Sequence, residues 1–236
     1  MSIESPRAVC YRCMRPEVIC LCSFITARET RTRFVLLMHP MEFKKEKNGT
    51  GRTTHLSLPN SEIIVGVDFS GNPRVNALID EPGHDCRLVY PGTSALNLSR
   101  QDYRPAPGTK PVLFLIDATW PCAKKMMRLS DNLQQLPRIS FDDERPSEFF
   151  IKQQPHPICL STVETVHRVL EFFGTSGLEE FDEKSGRELL LPFRNMIEIQ
   201  IRYAANPPAS SYRPSGGYRD PSQRNRSVKH SRRNVV

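Results

Sequence analysis

Residues able to do chemistry concentrate in two stretches of the chain. The first holds four of the seven cysteines, as Cys10-Tyr-Arg-Cys13 and Cys20-Leu-Cys22. Two close pairs separated by the short run Met14 to Ile19 suit tetrahedral coordination of zinc by thiolates. A site with four cysteine ligands has no open position, so its role would be structural. Free surface thiols or a redox pair are the competing reading. Disulfides are disfavoured, because the N-terminal MSIESPRAVCYRC lacks the apolar core of a secretory signal. The chain is therefore expected in the cytoplasm, or in a nucleus, where thiols stay reduced.

The second stretch is Leu113 to Arg128, LFLIDATWPCAKKMMR. Asp117 is a carboxylate able to accept a proton or orient a ligand. Thr119 adds a hydroxyl, and Trp120, the one tryptophan of the chain, adds a π face. Lys124, Lys125 and Arg128 follow with positive charge. A carboxylate, a hydroxyl, an indole and a basic face within a few residues suit a phosphate or nucleotide ligand.

The elements that must position these groups can be read from periodicity. Val112 to Ile116 is an unbroken apolar run, as expected of a strand buried on both faces. Pro121 then opens a helix, since its fixed φ and missing N–H suit the first helical position. Cys122, Met126 and Leu129 share one face of that helix, and Lys124 and Arg128 another. In α/β folds ligands sit beyond the carboxyl ends of such strands, beside free helix N–H groups.

Further strands are expected at Arg33–Met38, Ile63–Val67, Arg87–Tyr90, Leu136–Ile139 and Ile158–Leu160. Between the first two lies a charged loop with two glycines, His39 to Arg52, ending in Asn48-Gly-Thr-Gly-Arg52 and leading into a helix through His55, Leu56 and Leu58. It reads either as a solvated loop or as an anion cradle with Arg52 as a forked donor. Pro91-Gly92 predicts a type II turn, which asks for a positive φ at glycine. Ser161-Thr-Val-Glu164 is a capping box at the start of a helix that Gly174 would end. That explains Ser161 and Glu164 without any ligand, and His167 on the same helix reads as an ordinary exposed or half-buried histidine. Residues 70–87 carry little pattern, and Glu188 to Ala205 reads as strand or turn followed by helix.

At 236 residues and 27.0 kDa the chain suits one α/β core with a small appendage. Its longest apolar runs fall far short of the roughly 20 residues of a membrane helix. The net charge is +7, and six of those charges come from the segment after Asn206, where seven basic residues face Asp220 alone. With almost no apolar content, residues 207–236 are expected to be disordered. They serve either as a solubilising extension or as an arm adding salt-dependent affinity for RNA.

Taken in order, Cys10-x-x-Cys13 with Cys20-x-Cys22, Asn48-Gly-Thr-Gly-Arg52, Tyr90-Pro-Gly92, Asp117-Ala-Thr-Trp120 with Ala123-Lys-Lys-Met126, and Ser161-Thr-x-Glu164 resemble the DTW-domain family of tRNA-uridine aminocarboxypropyltransferases. Ala118 stands where that family often has glycine. The resemblance covers Cys10 to Ala205. It implies a zinc knuckle with its lead-in over 1–30 and a SPOUT-like catalytic domain over 31–206. That domain would be a mostly parallel α/β sheet with helices on both faces and a knotted cofactor site. It further implies transfer of the 3-amino-3-carboxypropyl group of S-adenosylmethionine to N3 of a uridine in tRNA, releasing methylthioadenosine.

Under that resemblance Asp117 is the catalytic candidate, as base or orienting group. An aspartate titrates near 4 when unperturbed and is then a poor base, so desolvation or a positioning role is required. Thr119, Trp120, Pro91, Gly92, Ser161 and Thr162 would line the cofactor or uracil pocket. Arg52, Lys124, Lys125, Arg145 and Lys152 would face RNA phosphates, and Cys10, Cys13, Cys20 and Cys22 would hold structural zinc. Two other readings stand: a SPOUT-type RNA methyltransferase with the same cofactor, and a zinc-knuckle RNA-binding adaptor without catalysis.

Overall fold

Val112 to Leu115 are buried because the strand that carries them is paired along both edges. The computed structural model describes residues 8–45, 48–151 and 159–205. A small antiparallel hairpin, β1 (Val9–Cys10) with β2 (Arg15–Pro16), comes first. Its turn closes with Met14 N donating to Cys10 O at 2.7 Å, and Met14 takes the left-handed conformation (φ 59°).

The main domain follows as β3 (Arg33–Met38), α1 (Pro40–Lys45), α2 (Thr50–Ser57), β4 (Ser61–Val65), α3 (Pro73–Asp80), β5 (His84–Val89), β6 (Leu96–Asn97), β7 (Lys110–Asp117), α4 (Trp120–Leu129), α5 (Asp131–Gln135), β8 (Arg138–Ser140), α6 (Thr162–Thr175) and α7 (Glu183–Ala205). Six strands form one sheet in the order β4-β3-β7-β5-β8-β6, and every pairing is parallel. The β3–β7 register sets Met38 beside Asp117, and His39 N donates to Asp117 O at 3.0 Å. The carboxyl ends of the two central strands are thereby level.

Alternation along the strands sorts the core into two layers. Phe34, Leu36, Leu113 and Leu115 pack with Val163, Val166, Leu170, Leu189, Phe193 and Met196 of α6 and α7. Val35, Leu37, Val112 and Phe114 face the other way, against Val75, Leu78, Met126, Met127 and Leu133 of α3, α4 and α5. Each fully buried side chain of this kind contributes roughly 1.5–3 kcal/mol. Helices thus cover both faces, as a parallel sheet requires.

Several expectations need correction. The segment expected as strand or turn before a C-terminal helix is one helix from Glu183 to Ala205, with Pro192 inside it. An interior proline costs about 3 kcal/mol, but Leu189, Leu190, Phe193, Met196 and Ile197 recur at helical spacing and are all buried, which outweighs that cost. Residues 73–80 form α3, capped by Asn72, whose side chain accepts from Arg74 N and Val75 N at 3.0 Å each. The buried face of α4 is Ala123, Met126 and Met127, while Leu129 is exposed. Cys159 and Leu160 carry no strand pairing. Ile158, Lys152 and the basic segment 207–236 lie outside the described residues.

Candidate active site

β7 ends at Asp117, a two-residue turn follows, and α4 starts at Trp120 with Pro121 in its first turn. Thr119 is the N-cap but makes no side-chain capping bond. Asp117 is 7 % exposed. Its Oδ1 accepts a hydrogen bond from Thr162 Oγ1 at 2.7 Å, so the first residue of α6 fixes a carboxylate at the end of β7. A Cβ added at Gly51 would collide with Asp117 Oδ2 and would lie 2.9 Å from Met38 Cε. Only glycine lets the first turn of α2 approach the carboxylate this closely, and that turn presents the positive end of the helix dipole.

These groups surround a cleft of about 500 Å³, within the range of small-molecule sites. Val89, Leu115, Ile116, Ile139, Phe141 and Phe149 make its apolar wall, and Asp117, Thr119, Trp120, Ser161 and Thr162 supply polar groups and the indole. Pro91 also lines it, whereas Gly92 does not. Among the described residues the positive-φ glycines are Gly108 and Gly177, not Gly92, so the type II expectation fails. A Cβ there would lie 2.9 Å from Arg138 Nη1, which itself donates to Pro91 O at 3.3 Å. The guanidinium also sits 5.6 Å over the Tyr90 ring. Sequence reasoning missed Arg138, because only strand pairing brings it to the Tyr90–Gly92 wall.

The capping box at Ser161 forms. Glu164 Oε2 accepts from Ser161 N at 2.8 Å and from Ser161 Oγ at 2.6 Å. The same buried carboxylate takes Glu148 N at 2.7 Å and the Ser147 hydroxyl at 2.9 Å. Glu164 therefore ties the loop after β8 to the start of α6, and Ser161 serves the cleft through its backbone position more than through its committed hydroxyl.

The basic candidates divide. Lys124 and Lys125 are exposed on α4, just beyond Trp120. Arg52 is half-buried, with its guanidinium 4.7 Å from the Phe43 ring and bonded to Phe43 O at 3.4 Å. Arg145 is held by Asp143 at 2.9 Å and Glu171 at 3.2 Å. It lies in a carboxylate network beside His167 and Arg168 and not at the cleft. His167 is buried, contrary to expectation, and burial holds its pKa below the ordinary histidine value against the opposing pull of Glu171. A second cavity of about 510 Å³ adjoins it between α6 and α7. There Arg194 pairs with Glu148, Arg168 with Glu171 and Arg187 with Glu183, so its charges largely neutralise one another.

At the N-terminus all four sulfurs of Cys10, Cys13, Cys20 and Cys22 lie within 4.8 Å of one another. Cys10 Sγ and Cys22 Sγ are 3.6 Å apart, and Cys13 Sγ and Cys20 Sγ 3.7 Å. Ligands at 2.3 Å in a tetrahedron are separated by about 3.8 Å, so the spacing fits one zinc ion. The backbone N–H groups of Cys13 and then Arg12 hold the Cys10 thiol down to about 6. Burial, followed by the neighbouring Cys10, pushes Cys22 up to about 12. Four thiols crowded together cannot all ionise unless a cation joins them.

A family model described as the DTW domain matches residues 7–201. The chain belongs to the DTW-domain family. A tRNA-uridine aminocarboxypropyltransferase 2 of Drosophila melanogaster is 30 % identical over 171 residues, covering 70 % of this chain and 66 % of the fly protein. The corresponding protein of Macaca fascicularis is 26 % identical over 208 residues, covering 84 % and 65 %. A tRNA-uridine aminocarboxypropyltransferase A of Arabidopsis thaliana is 25 % identical over 224 residues, covering 84 % and 82 %. The chain thus spans about two thirds of the fly and macaque relatives it matches. No solved structure matches it. In this DTW domain the Asp-x-Thr-Trp signature is the strand-to-helix corner that opens on the cleft.

Proposed function

We propose that this DTW protein transfers the 3-amino-3-carboxypropyl group of S-adenosylmethionine to N3 of a uridine in tRNA. The observation that carries the reading is the Asp117 carboxylate, nearly buried and fixed by Thr162, at the floor of an apolar cleft. The names of the relatives support the reaction class.

S-adenosylmethionine, when bound, supplies an activated side-chain carbon on its sulfonium and leaves as methylthioadenosine. The chain must orient the reacting groups, exclude water and deal with one proton. Asp117 faces the uracil, as acceptor of the N3 proton or as the group that orients it, and Thr162 prevents the carboxylate from turning away. Trp120 offers a π face to a planar base. The Tyr90–Pro91 backbone and the start of α6 form the opposing wall for adenosine or the methionyl carboxylate. Lys124 and Lys125 meet backbone phosphates at the rim.

The reading includes a SPOUT-like knotted cofactor site, supported by membership of the DTW-domain family and by the wholly parallel sheet with helices on both faces. It also includes one structural zinc on the four cysteines, supported by their spacing, and a cytoplasmic site of action.

Mass spectrometry of nucleosides from tRNA incubated with the protein and S-adenosylmethionine tests the reading. Aminocarboxypropyl-uridine with methylthioadenosine is expected. A methylated uridine with S-adenosylhomocysteine would make the protein a methyltransferase. Unmodified tRNA, bound equally with and without S-adenosylmethionine, would make it an adaptor.

A further inference from the structure

Arg15, on the second strand of the cysteine hairpin, is only 4 % exposed. Burying a guanidinium is costly unless its charge and its donors are matched. Its Nη2 donates to the Gly49 carbonyl at 3.5 Å and approaches Met196 Sδ at 3.3 Å. These two acceptors belong to separate parts of the fold. Met196 is a buried residue of α7. Gly49 is the N-cap of α2, and two residues further on is Gly51, which lies against the Asp117 carboxylate.

The arginine follows Cys13 by two residues. A metal held by the four thiolates would fix the short hairpin that carries Arg15, and with it the origin of the side chain that reaches Gly49. The first turn of a helix is its least secured part, because its N–H groups lack intrahelical partners. A donor on the N-cap carbonyl, anchored from outside the helix, fixes the direction in which that turn enters.

We propose that Arg15 is a positioning residue, which carries the order of the cysteine cluster to the Gly49–Gly51 turn beneath Asp117. The proposal rests on the reading of Asp117 as the reactive carboxylate. It differs from a role of the knuckle in stability alone, because the link ends at the turn that packs on Asp117.

The test is amide hydrogen exchange at residues 53–56, whose N–H groups bond back to the carbonyls of the Gly49–Arg52 turn, in the full chain, for wild type, Arg15→Met and Arg15→Lys, each before and after a chelator withdraws the metal. Losing a charged donor is expected to speed exchange there about tenfold in Arg15→Met. Chelation is expected to do the same in wild type and to add nothing in Arg15→Met, since both changes break one link. Equal increments from chelation in the two proteins overturn the proposal, as does an unchanged rate in Arg15→Met or no effect of chelation on wild type. If Arg15→Met does not fold, Arg15→Lys is judged by the same criteria, because an ammonium keeps the charge but not the fork. In the transfer assay, with kcat expressed per active enzyme counted by single-turnover titration, kcat falls while KM for tRNA holds; mere loss of folded protein would leave that kcat unchanged. If wild type transfers nothing yet shows the expected exchange pattern, the functional reading fails and the link stands.

Discussion

Thr162 Oγ1 and Asp117 Oδ1 are 2.7 Å apart, which joins the first residue of α6 to the last residue of β7. Thr162→Val removes the donor and keeps the shape. Its rate of modified-uridine formation is expected to fall about tenfold to hundredfold, with Asp117→Asn falling further. The double variant should be no slower than Asp117→Asn alone, because the threonine acts through the carboxylate. Additive losses in single-turnover assays would show that the two residues act separately.

Gly51→Ala places a methyl where Asp117 Oδ2 sits. Alanine favours the helix by about 1 kcal/mol, so circular dichroism should show no loss of helix. The displaced carboxylate should cost about a hundredfold in rate. A variant as active as wild type would show that the position of Asp117 does not matter.

Charge reversal at the rim should separate binding from scaffold. Lys124→Glu with Lys125→Glu is expected to weaken tRNA binding and lower the slope of log affinity against log salt by about 2. Arg145→Gln, which breaks pairs with Asp143 and Glu171, should instead lower the melting temperature and leave that slope alone. Salt titrations of binding with thermal melts decide both.

The four thiols predict one equivalent of zinc in purified protein, measured by elemental analysis. Cys13→Ser should lose that metal and melt at a lower temperature, since metal binding to such a site is itself folding free energy. Well under one equivalent, with an unchanged melt for the variant, would refute a structural site.

His167 titrates below its ordinary value, chiefly through burial, with Arg168, Arg145 and Arg194 adding to the fall and Glu171 opposing it. His55 is lowered too, through burial and then Arg52. In both cases the unfolded chain takes up a proton before the folded one does. Their contribution is present above the unfolded value of about 6.5 and is lost as pH falls through it towards the lowered folded value. His167→Gln should therefore flatten, in part, the decline of melting temperature below about pH 6.5. An unchanged slope would mean that His167 takes up its proton equally in both states.

Much of the frame could be read from local chemistry. The apolar run of β7, the Pro121 helix start and the Ser161–Glu164 box are each set by residues close in the chain, and each forms. α3 carried its own signal in Asn72-Pro73, an N-cap followed by a first-turn proline, but eight residues gave too short a period to stand out. α7 was misread because Pro192 acts as a breaker in isolation, and its cost is overridden only when the buried face meets α6 and the sheet. The meaning of Gly51 and Gly92 lay out of reach for a different reason. Gly51 is small because of Asp117, a side chain far away in sequence, and Gly92 lies against another, Arg138. Nothing in the hairpin sequence betrays that Arg15 points inward to Gly49.

The bonds of Glu164 give one side chain a hold on two sides of the cleft. Ser147 and Glu148 on one side and Ser161 on the other converge on one buried carboxylate, so the chain between them departs from and returns to a single anchor. Phe149 follows the first anchor and Ser161 and Thr162 make the second, so a substitution at Glu164 would loosen two sides of the cleft at once.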